Sequence, residues 1–173
     1  MKKNLIPLSN LVLLFIGLFS ILLSSCKDDF ENNTYSAYED LPMASYLKNQ
    51  PEKYDLWVKI LEKADLYNTL NINTIYTLFA PVNDGVERYL KKVNLTSVDQ
   101  MTKDDANYLV RYHLVPNVSI DLGQFQSGAI SDLNATDDNL FVEFKDGGLD
   151  QIYLNGLSRF NAFDIKVTNG IIH

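Results

Sequence analysis

The chain has 173 residues, 46% of them hydrophobic and 12% aromatic, and this composition indicates a folded domain rather than a disordered chain. Its 15 basic side chains stand against 22 acidic ones, and the net charge of −7 argues against binding nucleic acid through a basic surface. The one cysteine excludes an intramolecular disulfide, and two histidines leave few ligands for a metal site. We therefore expect one folded domain with no metal and no cofactor.

The first 25 residues resemble the signal peptide of a bacterial lipoprotein. Two lysines precede an apolar run, Leu11 to Leu23, which as a helix would be about 20 Å long and too short to cross a bilayer. The run ends in the pattern of a lipobox: Leu23, Ser24, Ser25 and Cys26. The resemblance implies that residues 1–25 are removed and that the Cys26 thiol carries diacylglycerol, which attaches the mature protein to a membrane. The alternative is an ordinary secretory signal peptide with a chance cysteine.

Acidic and polar residues follow the cysteine, and residues 26–41 are predicted to form a flexible tether. Its first charges are Lys27, Asp28 and Asp29, which resemble the surface-export signal of lipoproteins from some Gram-negative bacteria. This resemblance implies an outer-membrane lipoprotein that faces the cell exterior. The alternative is that these charges only begin a solvated tether.

Residues 42–173 are predicted to form the folded domain, and its first half has the pattern of helices. Apolar residues recur at steps of three and four from Tyr54 to Leu70, which predicts a helix with one buried face. The apolar run 75–80 predicts a buried strand. Asn83 or Asp84 is then expected to cap a second helix. The residues expected on the inward face of that helix are Val86, Tyr89, Leu90 and Val93.

A third helix is predicted to begin at Thr102, because a threonine followed by acidic residues is typical of a helix N-terminus. One stripe of this helix holds Ala106, Leu109, Val110 and His113.

Beyond residue 120 the apolar residues alternate in steps of two, which predicts strands. The pairs Asp146-Gly147, Asn155-Gly156 and Asn169-Gly170 favour tight turns. The last hairpin is predicted to join a strand at 160–167 to one at 170–173. Helices followed by an antiparallel meander indicate an α+β domain.

Three segments resemble the signature motifs of fasciclin-like adhesion domains, in the order in which that family has them. They are IYTLFAPVNDGVERYL (75–90), LVRYHLVPN (109–117) and DIKVTNGIIH (164–173). The resemblance covers Leu41 to His173 and implies the fasciclin-type fold, an antiparallel β-wedge with helices packed against it. Val86 stands where the family usually has phenylalanine. The family continues its last strand beyond the equivalent of His173, so we expect this sequence to be a truncated form.

The resemblance also implies two candidate sites of partner contact. In relatives, the pair at Tyr112 and His113 is tied to receptor contact, although helical geometry predicts that His113 points into the core. Asp164 and Ile165 lie where some animal relatives carry an integrin-binding motif, of which half is missing here. The alternative is a strand whose two faces take Asp164 and Ile165 separately.

One further pattern has the spacing of a calcium-binding loop. The residues at its oxygen-ligand positions are Asp132, Asn134, Thr136 and Glu143. Asp137 occupies the position where such loops need glycine, and the residues that follow alternate like a strand rather than a helix. A solvated acidic turn is therefore the preferred interpretation.

The sequence carries no glycine-rich phosphate loop and no nucleophile set beside a base, so we expect no enzyme. The expected function is a lipid-anchored surface adhesion or interaction module that contacts an unknown surface protein or glycan. The alternative is a surface glycan-binding accessory protein of a polysaccharide-uptake system. Tyrosines suited to stacking on sugars cluster near the tether, at Tyr35, Tyr38 and Tyr46.

Overall fold

Helices fill the first half of the domain and strands most of the second half. The computed structural model describes residues 41–146 and 148–173. Its α-helices are α1 (Met43–Lys48), α2 (Pro51–Lys63), α3 (Asn83–Lys92) and α4 (Lys103–Tyr112). Its strands are β1 (Tyr76–Leu78), β2 (Leu114–Pro116), β3 (Gly128–Ala129), β4 (Phe141–Phe144), β5 (Ile152–Leu154), β6 (Ser158–Arg159), β7 (Ile165–Val167) and β8 (Gly170–Ile172). Short 3₁₀-helices cover Thr69–Asn71, Val98–Gln100, Leu122–Gln124 and Gly148–Gln151.

Helix α2 has the buried face that the sequence predicts, but it is shorter than predicted. Proline at its first position fits a helix start, where the missing N–H has no helical partner. The helix ends at Lys63 because Asp65 adopts a φ of 61°, a left-handed conformation that a continuing helix cannot contain. Its buried residues are Tyr54, Trp57, Val58, Ile60 and Leu61. No helix among the described residues combines the length and the apolar character needed to span a bilayer.

The prediction that Asn83 or Asp84 caps the second helix is wrong. The N-cap of α3 is Val82, and Asn83 is already the first helical residue. The Asn83 side chain reaches α2 instead, where Oδ1 accepts the Leu56 N–H at 3.0 Å and Nδ2 donates to the Glu52 carbonyl at 3.2 Å. An ideal helix would pair these two backbone groups with each other, so the amide of Asn83 is a bridge between α2 and α3.

The inward face predicted for α3 is only partly correct. Val86 and Leu90 are buried and Tyr89 is partly buried against the same core. Val93 is exposed because it follows the last helical residue, so the helical period no longer applies to it. The start predicted for α4 is confirmed, since Thr102 Oγ1 accepts the Asp105 N–H at 3.1 Å.

Sheet A has the strand order β2-β1-β8-β7. Strand β1 is antiparallel to β2 but parallel to β8, so sheet A is mixed, whereas the hairpin predicted at the end of the chain, β7–β8, is antiparallel as expected. Gly170 permits the parallel pairing, because its φ is +140° and a Cβ atom there would lie 1.9 Å from the Tyr76 carbonyl oxygen. The parallel pair brings the C-terminal hairpin into the centre of the domain.

Sheet B has the order β3-β4-β5-β6, with antiparallel pairing throughout, as the sequence predicts. Asn155 and Gly156 turn between β5 and β6 with φ angles of 53° and 68°, the left-handed values that such a hairpin turn requires. The strand predicted at 160–167 is shorter than expected, because Asp164 has a φ of 54° and β7 begins only at Ile165.

Sheet A separates two hydrophobic cores. Leu78 and Leu114 are cross-strand partners and belong to the first core, which the helices cover. Their chain neighbours Phe79 and Val115 belong to the second core, together with residues of sheet B. The order of layers is therefore helices, sheet A, second core and sheet B.

The buried side-chain amide of Asn169 joins three distant segments by hydrogen bonds. The Asn169 side chain accepts the Met43 N–H at 2.8 Å, and its Nδ2 donates to the carbonyls of Leu70 at 2.9 Å and Ile72 at 3.1 Å. These bonds join the start of α1, the 3₁₀-turn after α2 and the β7–β8 hairpin. Because Asn169 is buried, the Met43 N–H and the carbonyls of Leu70 and Ile72 have a protein partner in place of water.

Candidate contact surface around Tyr112

The predicted lipid anchor lies outside the described residues. This applies to the lipobox, Leu23, Ser24, Ser25 and Cys26, and to the export signal, Lys27, Asp28 and Asp29. It applies also to Tyr35 and Tyr38 of the tyrosine cluster near the tether. The remaining member, Tyr46, lies on α1 and packs partly buried against the first core.

His113 lies at the C-terminal end of α4 and turns inward, as its position on the helical stripe predicts. Its Nδ1 is 2.8 Å from the Leu109 carbonyl oxygen, so this nitrogen carries the proton in that bond. The ring meets Trp57 edge to face at a centroid distance of 5.3 Å. Burial lowers the pKa of His113, and the backbone hydrogen bond to Leu109 opposes that change. The imidazole is therefore a neutral packing element at neutral pH.

Tyr112 turns the other way, toward sheet B. Its hydroxyl oxygen accepts a hydrogen bond from Asn155 Nδ2 at 3.1 Å. Asn155 is in turn fixed to β4, since its Oδ1 accepts the Phe141 N–H at 2.9 Å and its own N–H donates to the Phe141 carbonyl at 2.7 Å. The Tyr108 ring lies one helical turn earlier, 6.2 Å from the Tyr112 ring. One asparagine thus couples α4 to the β5–β6 hairpin.

A second asparagine joins α4 to the turn that precedes β4. Asn134 is buried, and its Nδ2 donates to the Tyr112 carbonyl at 3.0 Å. Its Oδ1 accepts the N–H groups of Thr136 at 3.0 Å and Asp138 at 2.8 Å. The turn is therefore held in one shape beside Tyr112 by a side chain that water does not reach.

This geometry does not favour calcium at the turn. The side-chain oxygen of Asn134, Oδ1, already accepts two backbone N–H groups of the turn. The Arg111 guanidinium donates to the Ala135 carbonyl, so the backbone of the turn is bonded to α4 as well. Among the residues that the structure describes, no group of three or more His, Cys, Asp or Glu side chains has a metal-binding arrangement.

Exposed apolar side chains surround Tyr112 and Asn155. The exposed fraction is 58% for Tyr108 on α4, 52% for Phe141 on β4 and 81% for Leu157 in the β5–β6 turn. Leu133 at the start of the Asn134 turn is also exposed. These side chains come from four separate elements, yet each element is tied to Tyr112 or Asn155 by hydrogen bonds or by direct chain connection. We name this set the Asn155 surface; its members are Tyr108, Tyr112, Leu133, Phe141, Asn155 and Leu157.

Both the side chain and the backbone N–H of Asp164 have partners within the domain. Its Oδ1 accepts the Leu122 N–H at 2.8 Å, and its own N–H points at His173 Nδ1 at 3.4 Å. Asp164 precedes β7, whereas Ile165 begins the strand and packs partly buried against the first core. The expected strand alternation therefore applies from Ile165 onward and does not include Asp164.

The two predicted contact pairs do not form one site. In the described part of the chain, no hydrogen bond or ring contact connects Tyr112 or His113 to Asp164 or Ile165. Asp164 instead belongs to the surroundings of His173, whose Nε2 donates to the Ile120 carbonyl at 2.8 Å. Burial lowers the pKa of His173 as well.

Of the residues that form the Asn155 surface, the sequence predicts only Tyr112 as a contact residue. The pair Asn155-Gly156 marked a turn, but the contact between its side chain and Tyr112 joins residues that are 43 positions apart. The spacing around Asn134 indicates only a position in a calcium-loop pattern. The one available signal is the position of Asn155 at a hairpin tip, because such a turn exposes the residues beside it, here Leu157 two positions later.

The comparisons with known proteins agree on one family. A family model described as "Fasciclin domain" matches residues 52–173. The chain is 29% identical over 122 residues to Protein sll1483 of Synechocystis sp., a match that covers 70% of this chain and 64% of that protein. It is 30% identical over 129 residues to periostin of Homo sapiens, covering 72% of this chain and 14% of periostin. The chain thus spans less than two thirds of the length of either relative.

A solved structure supports the fold. The chain superposes with a TM-score of 0.60 on a FAS1 domain pair from the insect cell adhesion molecule fasciclin I, covering 77% of this chain and 48% of the pair at 16% identity. The α+β fasciclin-type fold predicted from the sequence is therefore confirmed. Helix α1 precedes the matched family segment, although Met43, Ala44 and Leu47 are fully buried in the first core. Since the family model matches more than half of its residues, the chain belongs to the fasciclin family.

Proposed function

We propose that this protein is a non-catalytic adhesion or interaction module, held on the cell surface by a lipid on Cys26. The observation that carries the proposal is the Asn155 surface, where exposed apolar side chains from four elements converge on a rigid scaffold. Contiguous exposed apolar residues of this kind are typical of protein contact sites. The family supports the proposal, because one structural relative is named as a cell adhesion molecule.

The anchor rests on the sequence. The only cysteine of the chain stands at the last position of the lipobox pattern, where the acyl chemistry requires a thiol. Lys27, Asp28 and Asp29 follow it and fit export to the outer face of the outer membrane. Because the chain carries a net charge of −7, an anionic membrane would repel it, so lipid rather than charge must supply the attachment.

Both histidines and one helix-cap carboxylate have structural partners. His113 is bonded to Leu109 inside the domain, and His173 is bonded to Ile120 and Asp164. Asp105 is bonded to the helix cap Thr102. A contact function needs none of these groups to change its protonation state, and this supports a role without turnover.

The test compares the full chain with its Cys26→Ala variant in a Gram-negative host. We expect the wild-type protein to incorporate radiolabelled palmitate and the Cys26→Ala variant to incorporate none. We also expect protease added outside intact cells to cleave the wild-type protein. Cells with the wild-type protein should bind to host or bacterial surfaces more than cells with Leu157→Ser. An unlabelled wild-type protein would overturn the anchor, and equal binding by both kinds of cell would overturn the contact role.

A glycan-binding accessory protein is the second candidate, and two exposed rings favour it. Tyr108 and Phe141 present aromatic surface to solvent, and aromatic faces stack on sugars. Tyr46 does not contribute, because it packs against the first core. Isothermal titration with plant and host polysaccharides distinguishes the candidates. Saturable binding that Tyr108→Ser abolishes would support the glycan role, and absence of heat would leave protein contact as the function.

A further inference from the structure

We propose that the Asn155 surface binds a basic, apolar segment of a partner protein, in which leucine-like side chains alternate with lysine or arginine. The inference rests on the proposed function and narrows the chemistry of the partner. It is carried by two independent observations, the exposed apolar side chains of the surface and the acidic residues at its margin.

The elements that carry the surface are bonded to one another. Tyr108 lies beside Tyr112 on α4, and the Tyr112 hydroxyl is bonded to Asn155. Asn155 is bonded to Phe141 through its side chain and its backbone. Leu157 follows in the same turn, where its N–H donates to the Leu154 carbonyl at 3.1 Å.

The surface is also held in shape by side-chain hydrogen bonds that need no partner. The hairpin turn, the β4 backbone and the Asn134 turn are each fixed by asparagine side chains, as described above. A preformed surface loses little conformational entropy on binding, so contact with its apolar side chains is not offset by the cost of ordering a loop. Leu157 has the largest exposed fraction of the apolar side chains in this surface, 81%, and we expect its burial by a partner to contribute to affinity.

The margin of the surface is acidic. Asp132, Asp137 and Asp138 lie in the Asn134 turn, and all of them are exposed. No ion pair involves these three carboxylates within the described residues. Glu143 adds a fourth carboxylate, since its Oε2 lies 3.4 Å from the position that a Cβ atom would take at Gly156. A partner with carboxylates would be repelled at this margin, and a partner with ammonium or guanidinium groups would be attracted.

Of the nearby cations, only Lys145 forms an ion pair with a carboxylate of this margin within the described residues. Arg111 donates its hydrogen bond to the carbonyl of Ala135 and forms no ion pair with the carboxylates of the turn. Lys145 is 3.7 Å from Glu143 and lies over the Tyr153 ring at 4.0 Å. Arg159 is opposite Tyr153 on β6, on the side of the sheet away from the Asn134 turn along the strand order. The three aspartates of the turn thus remain available to a basic partner.

The experiment measures peptide binding to the full chain purified from membranes in non-ionic detergent and captured on beads. The probe is an octapeptide of alternating leucine and lysine, and its counterpart replaces each lysine by glutamate. We expect the lysine peptide to bind at least about tenfold more tightly, with an advantage that shrinks as salt screens the charges. Empty micelles on beads give the background.

Two pairs of variants locate the binding. Leu157→Ser should weaken binding of the lysine peptide about tenfold, whereas Ile72→Ser, at a residue 51% exposed and remote in the chain from this surface, should leave it unchanged. Asp137→Asn should weaken it about twofold to threefold, and Glu87→Gln on α3 should not. Asparagine suits position 137, where φ is 64°, so this variant keeps the turn. Thermal unfolding of each variant confirms that it folds.

The outcomes separate this inference from the proposed function. Equal affinity for the two peptides, or equal weakening by Leu157→Ser and Ile72→Ser, overturns the basic partner. If Leu157→Ser nevertheless abolishes binding of cells to surfaces, the contact role stands without it. If the peptides are discriminated as expected but wild-type cells bind to nothing, the surface stands and the adhesion role fails. Competition by a neutral polysaccharide would assign the surface to glycan and overturn the basic partner.

Discussion

The first core joins helices to the C-terminal hairpin, whereas the second core lies between sheet A and a meander of short strands. In the first core, Trp57, Ile60, Leu61 and Leu78 have no exposed surface, and helices cover the side of sheet A that they face. Above the second core, the outer face of sheet B is open to solvent and carries Phe141. The first core is thus covered by helices, whereas the outer face of sheet B has no covering element among the described residues.

This difference indicates that the residues that stabilise the domain are distinct from those proposed to contact a partner. The first core gains most of its free energy from burying large side chains, at about 25 cal/mol per Å² of apolar surface. The Asn155 surface lies at the edge of the second core and is held by polar bonds to Tyr112, a residue of α4. Contact residues can therefore vary without loss of the first core, which fixes their scaffold. The predictions below test this division, from the largest expected effect to the smallest.

Gly170→Ala should break the link between the two halves of the chain. A Cβ atom would lie 1.9 Å from the Tyr76 carbonyl oxygen, in a residue whose φ is +140°, so strands β1 and β8 could not stay paired. We expect a loss of more than about 3 kcal/mol in the free energy of unfolding, measured by urea denaturation of the full chain.

Gly128→Ala is the matched control in sheet B. Its φ is +123°, but a Cβ atom there would meet nothing within 4 Å, so only backbone strain remains. We expect a loss of about 1–2 kcal/mol. Equal losses for the two variants would show that strain, not the close approach of β8 to β1, determines the effect.

Asn169→Ala should cost more than Asn134→Ala. Removal of the Asn169 amide leaves the Met43 N–H and the carbonyls of Leu70 and Ile72 without a partner in the first core. We expect the free energy of unfolding to fall by about 2–4 kcal/mol, because these buried polar groups would have neither a protein partner nor water. Asn134→Ala releases N–H groups of a surface turn, at Thr136 and Asp138, which water can then hydrate. We expect the free energy of unfolding to fall by about 1–2 kcal/mol. Chemical denaturation compares them, and a larger loss for Asn134→Ala would contradict the division between the regions.

The sequence could predict what is local. The buried stripe of α2, the Thr102 cap and the turn at Asn155 each depend on residues within a few positions, and periodicity or turn chemistry identifies them. The bridge from Asn83 to α2 and the bonds of Asn169 depend on residues 27 to 126 positions away. A short polar side chain that caps a helix and one that joins two helices look alike in sequence. The same limit concealed the parallel pairing of β1 with β8 and the assembly of the Asn155 surface.

Acid should weaken the fold through the two histidines. Burial lowers the pKa of His113 and of His173 below the ordinary value of 6.5, so the unfolded chain binds a proton that the folded chain resists. The free energy of unfolding should be insensitive to these groups above pH 6.5 and should fall as the pH decreases below it. Urea denaturation between pH 7.5 and 5 measures the slope.

Two variants show which histidine causes the dependence of the free energy of unfolding on pH. His113→Gln retains a donor for the Leu109 carbonyl but cannot be protonated, and His173→Gln does the same for the Ile120 carbonyl. Each variant should flatten the slope below pH 6.5. If neither does, carboxylates rather than buried imidazoles cause the acid sensitivity.

Thr102→Ala should have the smallest effect of the series and should act on the scaffold rather than on the contact surface. The Thr102 hydroxyl accepts the Asp105 N–H at 3.1 Å, and loss of such a cap costs about 1 kcal/mol. Thr96→Ala is the control, because the Thr96 hydroxyl is bonded only to the exposed Gln100 side chain and caps no helix. We expect the control to change the free energy of unfolding by less than about 0.5 kcal/mol. Since α4 carries Tyr108 and Tyr112, unchanged peptide binding by Thr102→Ala beside lowered stability would show that the surface is held by its asparagine bonds, even when the start of its helix is weakened.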